Sequence, residues 1–262
     1  MYAGKKIIVG RDKLDHIKGV QHKLNAYEKF LEMYPEWQNK VQYTEEFCVP
    51  ALTKSCLIQV VLIQVTSPPP RPSPILESKV SEIVSRINGT YGSIEFAPVH
   101  HYHQHLDQDE YYSLLSTADV GLITSVRDGM NTTSHEFVVC QQVCARRPPD
   151  VVFSKNCIHM FHDFQESQGV LILSEFTGTA GSLSSTILVN PFDYVGVANA
   201  IKEALEMCRE EKFNKHQVRF LPRLSKFFFL FALGISASKT GRWGRACFKS
   251  LRGWWHYCPG IS

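Results

Sequence analysis

Several functional classes leave marks that this sequence lacks. The longest apolar run, Phe227 to Ile235, is far short of the roughly 20 residues that a membrane span requires, so no membrane partner is expected. Eight cysteines occur without one CxxC pair, which excludes the ligand spacing of a zinc ribbon. Met1-Tyr2-Ala3-Gly4-Lys5 leads straight into a strand pattern with no secretory leader, so free thiols in a cytoplasmic protein are the expectation. Neither sign of charge dominates: 28 Lys plus Arg stand against 25 Asp plus Glu, with 44% hydrophobic and 20% charged positions. That balance excludes a disordered polyelectrolyte and collagen. No internal repeat is visible, which excludes a solenoid.

What is present is an alternation of short apolar runs with helical patterns. This is the signature of an α/β fold, a parallel sheet with helices on both faces. Strands are expected at Lys6–Val9, Val60–Val65, Ile94–Val99, Val120–Thr124, Val170–Ser174 and Ile187–Val189. Helices are expected at Val20–Tyr34, Leu76–Ile87, Asp109–Thr117, Thr132–Gln142 and Val195–Cys208, from apolar residues recurring at helical spacing. A length of 262 residues suits one large domain or two small ones.

Three stretches break the alternation: 42–59, 143–165 and 218–262. They hold six of the eight cysteines. Deleting the first joins a helix end at Lys40 to the strand at Val60, and deleting the second leaves a short helix-to-strand loop of the usual length. Each stretch opens at or beside a Val, whose codons begin GT, and the first two end in Gln, whose CAG codon ends AG. These are the boundary marks of a translated intron; real surface insertions, which folds tolerate well, are the other reading. The last stretch carries eight cations and no acid, leaving 20 cations against 25 acids in residues 1–217. With Trp243, Trp254 and Trp255 among its cations it has the composition of a nucleic-acid or membrane surface, yet as read-through it would have no selected partner, so neither nucleic acid nor membrane is expected. Residues 1–217 are the expected folded domain.

Three loops that follow strands carry chemistry. Gly10 to Gly19 combines two glycines with Arg11, Lys13 and Lys18, cations that suit a diphosphate at a helix N-terminus. Val126 to Glu136 places Asp128 and the Gly129–Asn131 amides at a strand's carboxyl end, with Asn131 or Thr132 near the helix cap and Glu136 one turn in, able to accept two ribose hydroxyls. Glu175 to Ser182 supplies small residues that let backbone approach a ligand. The histidine-rich run from His100 to His105 matches no zinc spacing, and reads as a polar loop closing over a nucleotide base.

Gly10-Arg11-Asp12-Lys13-Leu14-Asp15 with Lys18-Gly19, Ser125 to Asn131, Leu173 to Gly178 and Val189-Asn190-Pro191 closely resemble trehalose-6-phosphate synthase, glycosyltransferase family 20. The resemblance implies a GT-B enzyme of two Rossmann-like domains, of which residues 1–217 resemble the C-terminal, UDP-glucose-binding half. It implies that Lys13 and Lys18 hold the diphosphate, with Arg11 as an alternative cation, and that Asp128, Gly129, Met130 and Asn131 hold the glucose hydroxyls. Glu136 would take the ribose and the backbone at His105 and Leu106 the uracil. Lys18 and Asp128 would be the catalytic groups of this half, in glucosyl transfer to glucose 6-phosphate without a metal or other cofactor.

Two departures from the family pattern matter. Active synthases have an acceptor-phosphate Arg just after the strand ending at Thr66-Ser67, where this sequence has Pro68-Pro69-Pro70. The wording Asp128 to Ser134 is also closer to the synthase-like domain of trehalose-phosphatase and regulatory subunits. The resemblance therefore implies either the donor half of a glucosyltransferase or a non-catalytic module whose partners are other subunits of a trehalose synthase/phosphatase complex.

Overall fold

The computed structural model describes residues 4–38, 59–69, 73–145, 168–183 and 185–216. Residue 184 and nearly all of the three irregular stretches lie outside them. The strands are β1 (Lys6–Lys13), β2 (Val60–Ser67), β3 (Val99–His103), β4 (Val120–Ile123), β5 (Val170–Ser174) and β6 (Ile187–Val189). The helices are α1 (Val20–Met33), α2 (Pro74–Tyr91), α3 (Gln108–Thr117), α4 (Thr132–Ala145), α5 (Tyr194–Glu206) and α6 (Arg209–His216). All strand pairs are parallel and the order is β3-β2-β1-β4-β5-β6.

That order reverses between β1 and β4, the point where open α/β sheets bind ligands at their strands' carboxyl ends. Both faces are covered, so the central strands are apolar nearly throughout; every residue of β2 is buried. Ile8, Leu62, Leu122 and Ile172 face the layer made by α1, α2 and α5, where Leu24, Tyr27, Val80, Ile83 and Ile201 meet them. Residues one step along, among them Val61, Ile63 and Leu173, face the layer of α3 and α4. Gly121 in β4 lies against the Phe137 ring at a distance where a Cβ would crowd it, so α4 packs close to the sheet.

Several expected boundaries shift, α2 running Pro74–Tyr91 rather than Leu76–Ile87 among them, and two of the shifts bear on the site. The third strand was expected at Ile94–Val99, but Ser93 and Phe96 pair with each other in a tight turn, Ile94 is fully exposed, and the strand runs from Val99 to His103. Asn88 fixes its start, since its side chain both donates to the Val99 carbonyl at 2.9 Å and accepts from the Val99 amide at 3.0 Å. The β-propensity of Ile94-Glu95-Phe96 is thereby overridden, and the histidine run is tolerated because β3 is an edge strand. The first strand also runs past Val9 to Lys13, pairing with β2 along its whole length. Gly10 to Lys13 is therefore strand rather than loop.

Candidate functional site

Because Gly10 to Lys13 is extended, its side chains alternate between the two faces of the sheet. Gly10 and Asp12 point to the α1 side. There Lys23 of α1, fully buried, pairs with Asp12 at 2.5 Å, and Gln64 of β2 donates to the same carboxylate at 3.1 Å. A Cβ on Gly10 would collide with both the Lys23 ammonium and the Gln64 amide, so a larger residue there would have to displace the ends of these buried side chains. Nothing in a helical apolar stripe flags Lys23, and sequence reasoning missed this network. Arg11 lies on the opposite face, and Lys13 is exposed at the strand's end.

The loop from Leu14 to Gly19 is shaped by Asp15, which caps a short 3-10 turn at His16–Lys18, and by Gly19 in the left-handed region at φ 68°. A Cβ there would strike the Thr124 carbonyl, and Thr124 Oγ1 donates to the Gly19 carbonyl at 3.0 Å. The Val126 amide donates to the Ile17 carbonyl at 2.9 Å. The loops after β1 and β4 are thus joined at the topological switch point.

Asp128 is the centre of that junction. Lys18 Nζ lies 2.6 Å from its Oδ2, and Asn131 Nδ2 donates to the same oxygen at 2.9 Å. Asn131 also caps α4, its Oδ1 accepting from the Ser134 amide at 2.8 Å. The Gly178 amide donates to the Asp128 carbonyl at 2.9 Å, which draws in the loop after β5. Gly178 packs against the Gly129 carbonyl where a Cβ could not fit. Gly129 and Met130 are exposed at the α4 N-terminus, where backbone amides and the helix dipole favour an anion or polar oxygens.

The other expected residues gather on the α3/α4 side. Arg11, His105, Leu106 and Glu136 line a cleft of about 120 Å³ together with Ser67 and Tyr111. Glu136 Oε2 accepts from the Tyr111 hydroxyl at 2.7 Å, and the Arg11 guanidinium stands 5.0 Å from the centre of the Tyr111 ring. Burial, reinforced by the Glu136 charge, pushes the Tyr111 phenol above its ordinary range. The structure therefore groups Arg11 with Glu136 rather than with Lys18. It does not bring Lys13 into the cleft lining. His100 to His103 lie within β3, and of the run Gln104 and His105 reach the cleft; His101 Nε2 and His103 Nδ1 share the Thr66 hydroxyl at 2.8 and 3.0 Å. Among the described residues no three His, Cys, Asp or Glu side chains are placed to hold a metal ion, and no helix is long and apolar enough to cross a membrane.

Two groupings thus lie at the carboxyl ends of the strands, Lys18 with Asp128 and Asn131, and Arg11 over the Tyr111 ring whose hydroxyl holds Glu136. The family model for Glycosyltransferase family 20 matches residues 1–55 and 53–222. The trehalose-phosphatase of Saccharomyces cerevisiae is 44% identical over 217 residues, 81% of this chain and 20% of that protein. The N-terminal domain of Candida albicans trehalose-6-phosphate phosphatase is similar with a TM-score of 0.66 at 44% identity, covering 86% of this chain and 39% of that one. The E. coli trehalose-6-phosphate structure bound with UDP-2-fluoro glucose is similar with a TM-score of 0.65 at 26% identity, covering 85% of this chain and 41% of that one. The chain thus spans well under half the length of these proteins, and the single doubly wound sheet is the Rossmann-like half of a GT-B fold. On a family match that spans most of its length, the chain belongs to glycosyltransferase family 20.

Proposed function

We propose that this chain is the donor half of a UDP-forming trehalose-phosphate synthase and that it binds UDP-glucose. The observation that carries the reading is Asp128, whose carboxylate joins Lys18 and Asn131 while its carbonyl holds the loop after β5. Both side-chain contacts fall on Oδ2, leaving Oδ1 to accept from a glucose hydroxyl. The Gly129 and Met130 amides address neighbouring sugar oxygens, and Lys18 stands beside them to meet the charge that builds on a departing diphosphate. Glu136 accepts the ribose hydroxyls, and the backbone at His105 and Leu106 borders the base. Leaving-group charge is met on this reading by Lys18 and helix amides rather than by a metal ion. A cytoplasmic location belongs to the same reading, resting on cysteine usage suited to a reducing compartment.

A second reading has its own support. Pro68-Pro69-Pro70 stands where the resemblance calls for an acceptor-phosphate Arg, and the 44% identity is to phosphatase proteins. On this reading the domain binds donor or partner subunits of a trehalose synthase/phosphatase complex without transferring glucose. Isothermal titration of the 262-residue chain with UDP-glucose tests the first step, since absence of binding overturns the donor reading. Joined to an acceptor-binding half and supplied with glucose 6-phosphate, a chain that binds donor yet forms no trehalose 6-phosphate favours the second reading.

A further inference from the structure

Glu136 reaches the cleft as one member of a group of three. A free glutamate side chain has three rotatable bonds and samples many positions, so a carboxylate that must present one oxygen to a ligand gains from a partner holding the other. Tyr111 is that partner. It stands in the first turns of α3 and is 7% exposed, and its hydroxyl donates to Glu136 Oε2 at 2.7 Å. The Arg11 guanidinium, 5.0 Å from the ring centre, covers the aromatic surface from β1. Three elements thus converge on one phenol, whose proton is committed to the carboxylate, and Oε1 is left for a ligand.

We infer that Tyr111 is a positioning residue for ribose recognition: with its ring held by Arg11, it fixes Glu136 so that Oε1 meets the hydroxyls of a nucleotide's cis-diol. This rests on the proposed donor reading and adds to it the residue that sets the preference for a ribonucleotide. A purely structural tyrosine would stabilise the cleft without distinguishing ligands by their hydroxyls.

The test is titration of the full chain with UDP and with 2′,3′-dideoxy-UDP, in wild type, Tyr111→Phe, Glu136→Gln and the double variant. Wild type is expected to prefer UDP. Tyr111→Phe should weaken UDP by about 10-fold, the scale of a hydrogen bond to a charged group, while dideoxy-UDP changes by less than about 2-fold. The double variant should match Glu136→Gln alone, because the phenol acts only through the carboxylate. If Tyr111→Phe keeps the wild-type ratio of the two ligands, or weakens both equally, the inference is overturned while the donor reading stands. A wild-type chain that binds neither ligand overturns the donor reading and this inference with it. A wild type that binds both equally removes the ribose role of Glu136, and so of Tyr111, and leaves the diphosphate contacts in place.

Discussion

Asp128 and Lys18 form a half-buried ion pair whose members both belong to the proposed donor site. Replacing Lys18 by Met removes a cation from the diphosphate and frees Asp128, so UDP-glucose affinity is expected to drop about 10- to 100-fold by titration, with the fold retained. Affinity unchanged within 2-fold would place the diphosphate elsewhere, with Arg11 and exposed Lys13 as the remaining cations of the motif. A second residue-scale consequence concerns protons. His22, His100 and His101 are all held below the ordinary histidine value of 6.5 by burial, with nearby Lys5 adding to the effect at His100 and His103 at His101. Each stays neutral in the folded chain where the unfolded chain already binds a proton. Their contribution is therefore fully present above pH about 6.5 and is lost as pH falls through the lowered values. The melting temperature should decline from pH 7.5 to pH 5, and His101→Gln, which removes one such group beside Thr66, should decline less steeply. An equal slope in the variant would count against His101 as a contributor. The residue types of the site were legible in the sequence, but the partition of Arg11, Asp12 and Lys13 was not. Strand alternation sets Asp12 on the face opposite Arg11 and Lys13, and exposure at the strand's end keeps Lys13 out of the cleft; both follow from β1 pairing with β2 as far as Ser67.

At the scale of elements, the site depends on loops that approach one another more closely than side chains permit. Gly19 joins the loop after β1 to β4 with a positive φ and no room for a Cβ, and Gly178 presses the loop after β5 onto Gly129. Gly19→Ala should destabilise the chain by about 1–3 kcal/mol, read as a lower urea midpoint, and should weaken donor binding because Ile17 and Val126 lose their register. A variant with wild-type stability would show that the loop relaxes without cost. The alternating strands and helices were readable from apolar periodicity, which parallel sheets enforce by burying both faces. The exceptions have local causes. Ile94-Glu95-Phe96 has strand composition but sits in a turn, because Asn88 anchors Val99 and thereby sets where β3 begins. Lys23 sits at a core position of α1 that pattern reading fills with an apolar residue, since its partner Asp12 lies far from it in the amphipathic pattern and next to it only in space.

At the scale of the whole molecule, composition divides the chain near Gln217. The cationic run after it includes Phe227-Phe228-Phe229-Leu230-Phe231, an uncharged aromatic segment prone to aggregate when exposed. A chain ending at Gln217 is expected to remain in solution at concentrations where the full chain precipitates, with the same affinity for UDP-glucose; equal solubility by centrifugation would refute this. The sequence by itself determined the α/β class and the family, because burial on both faces of a parallel sheet leaves a direct mark on residue order. The tertiary structure alone decided which residues of the candidate site meet. It set Lys18 on Asp128, Arg11 over Tyr111 and Tyr111 against Glu136, contacts that join residues far apart in the chain and arise only when the strand order reverses between β1 and β4.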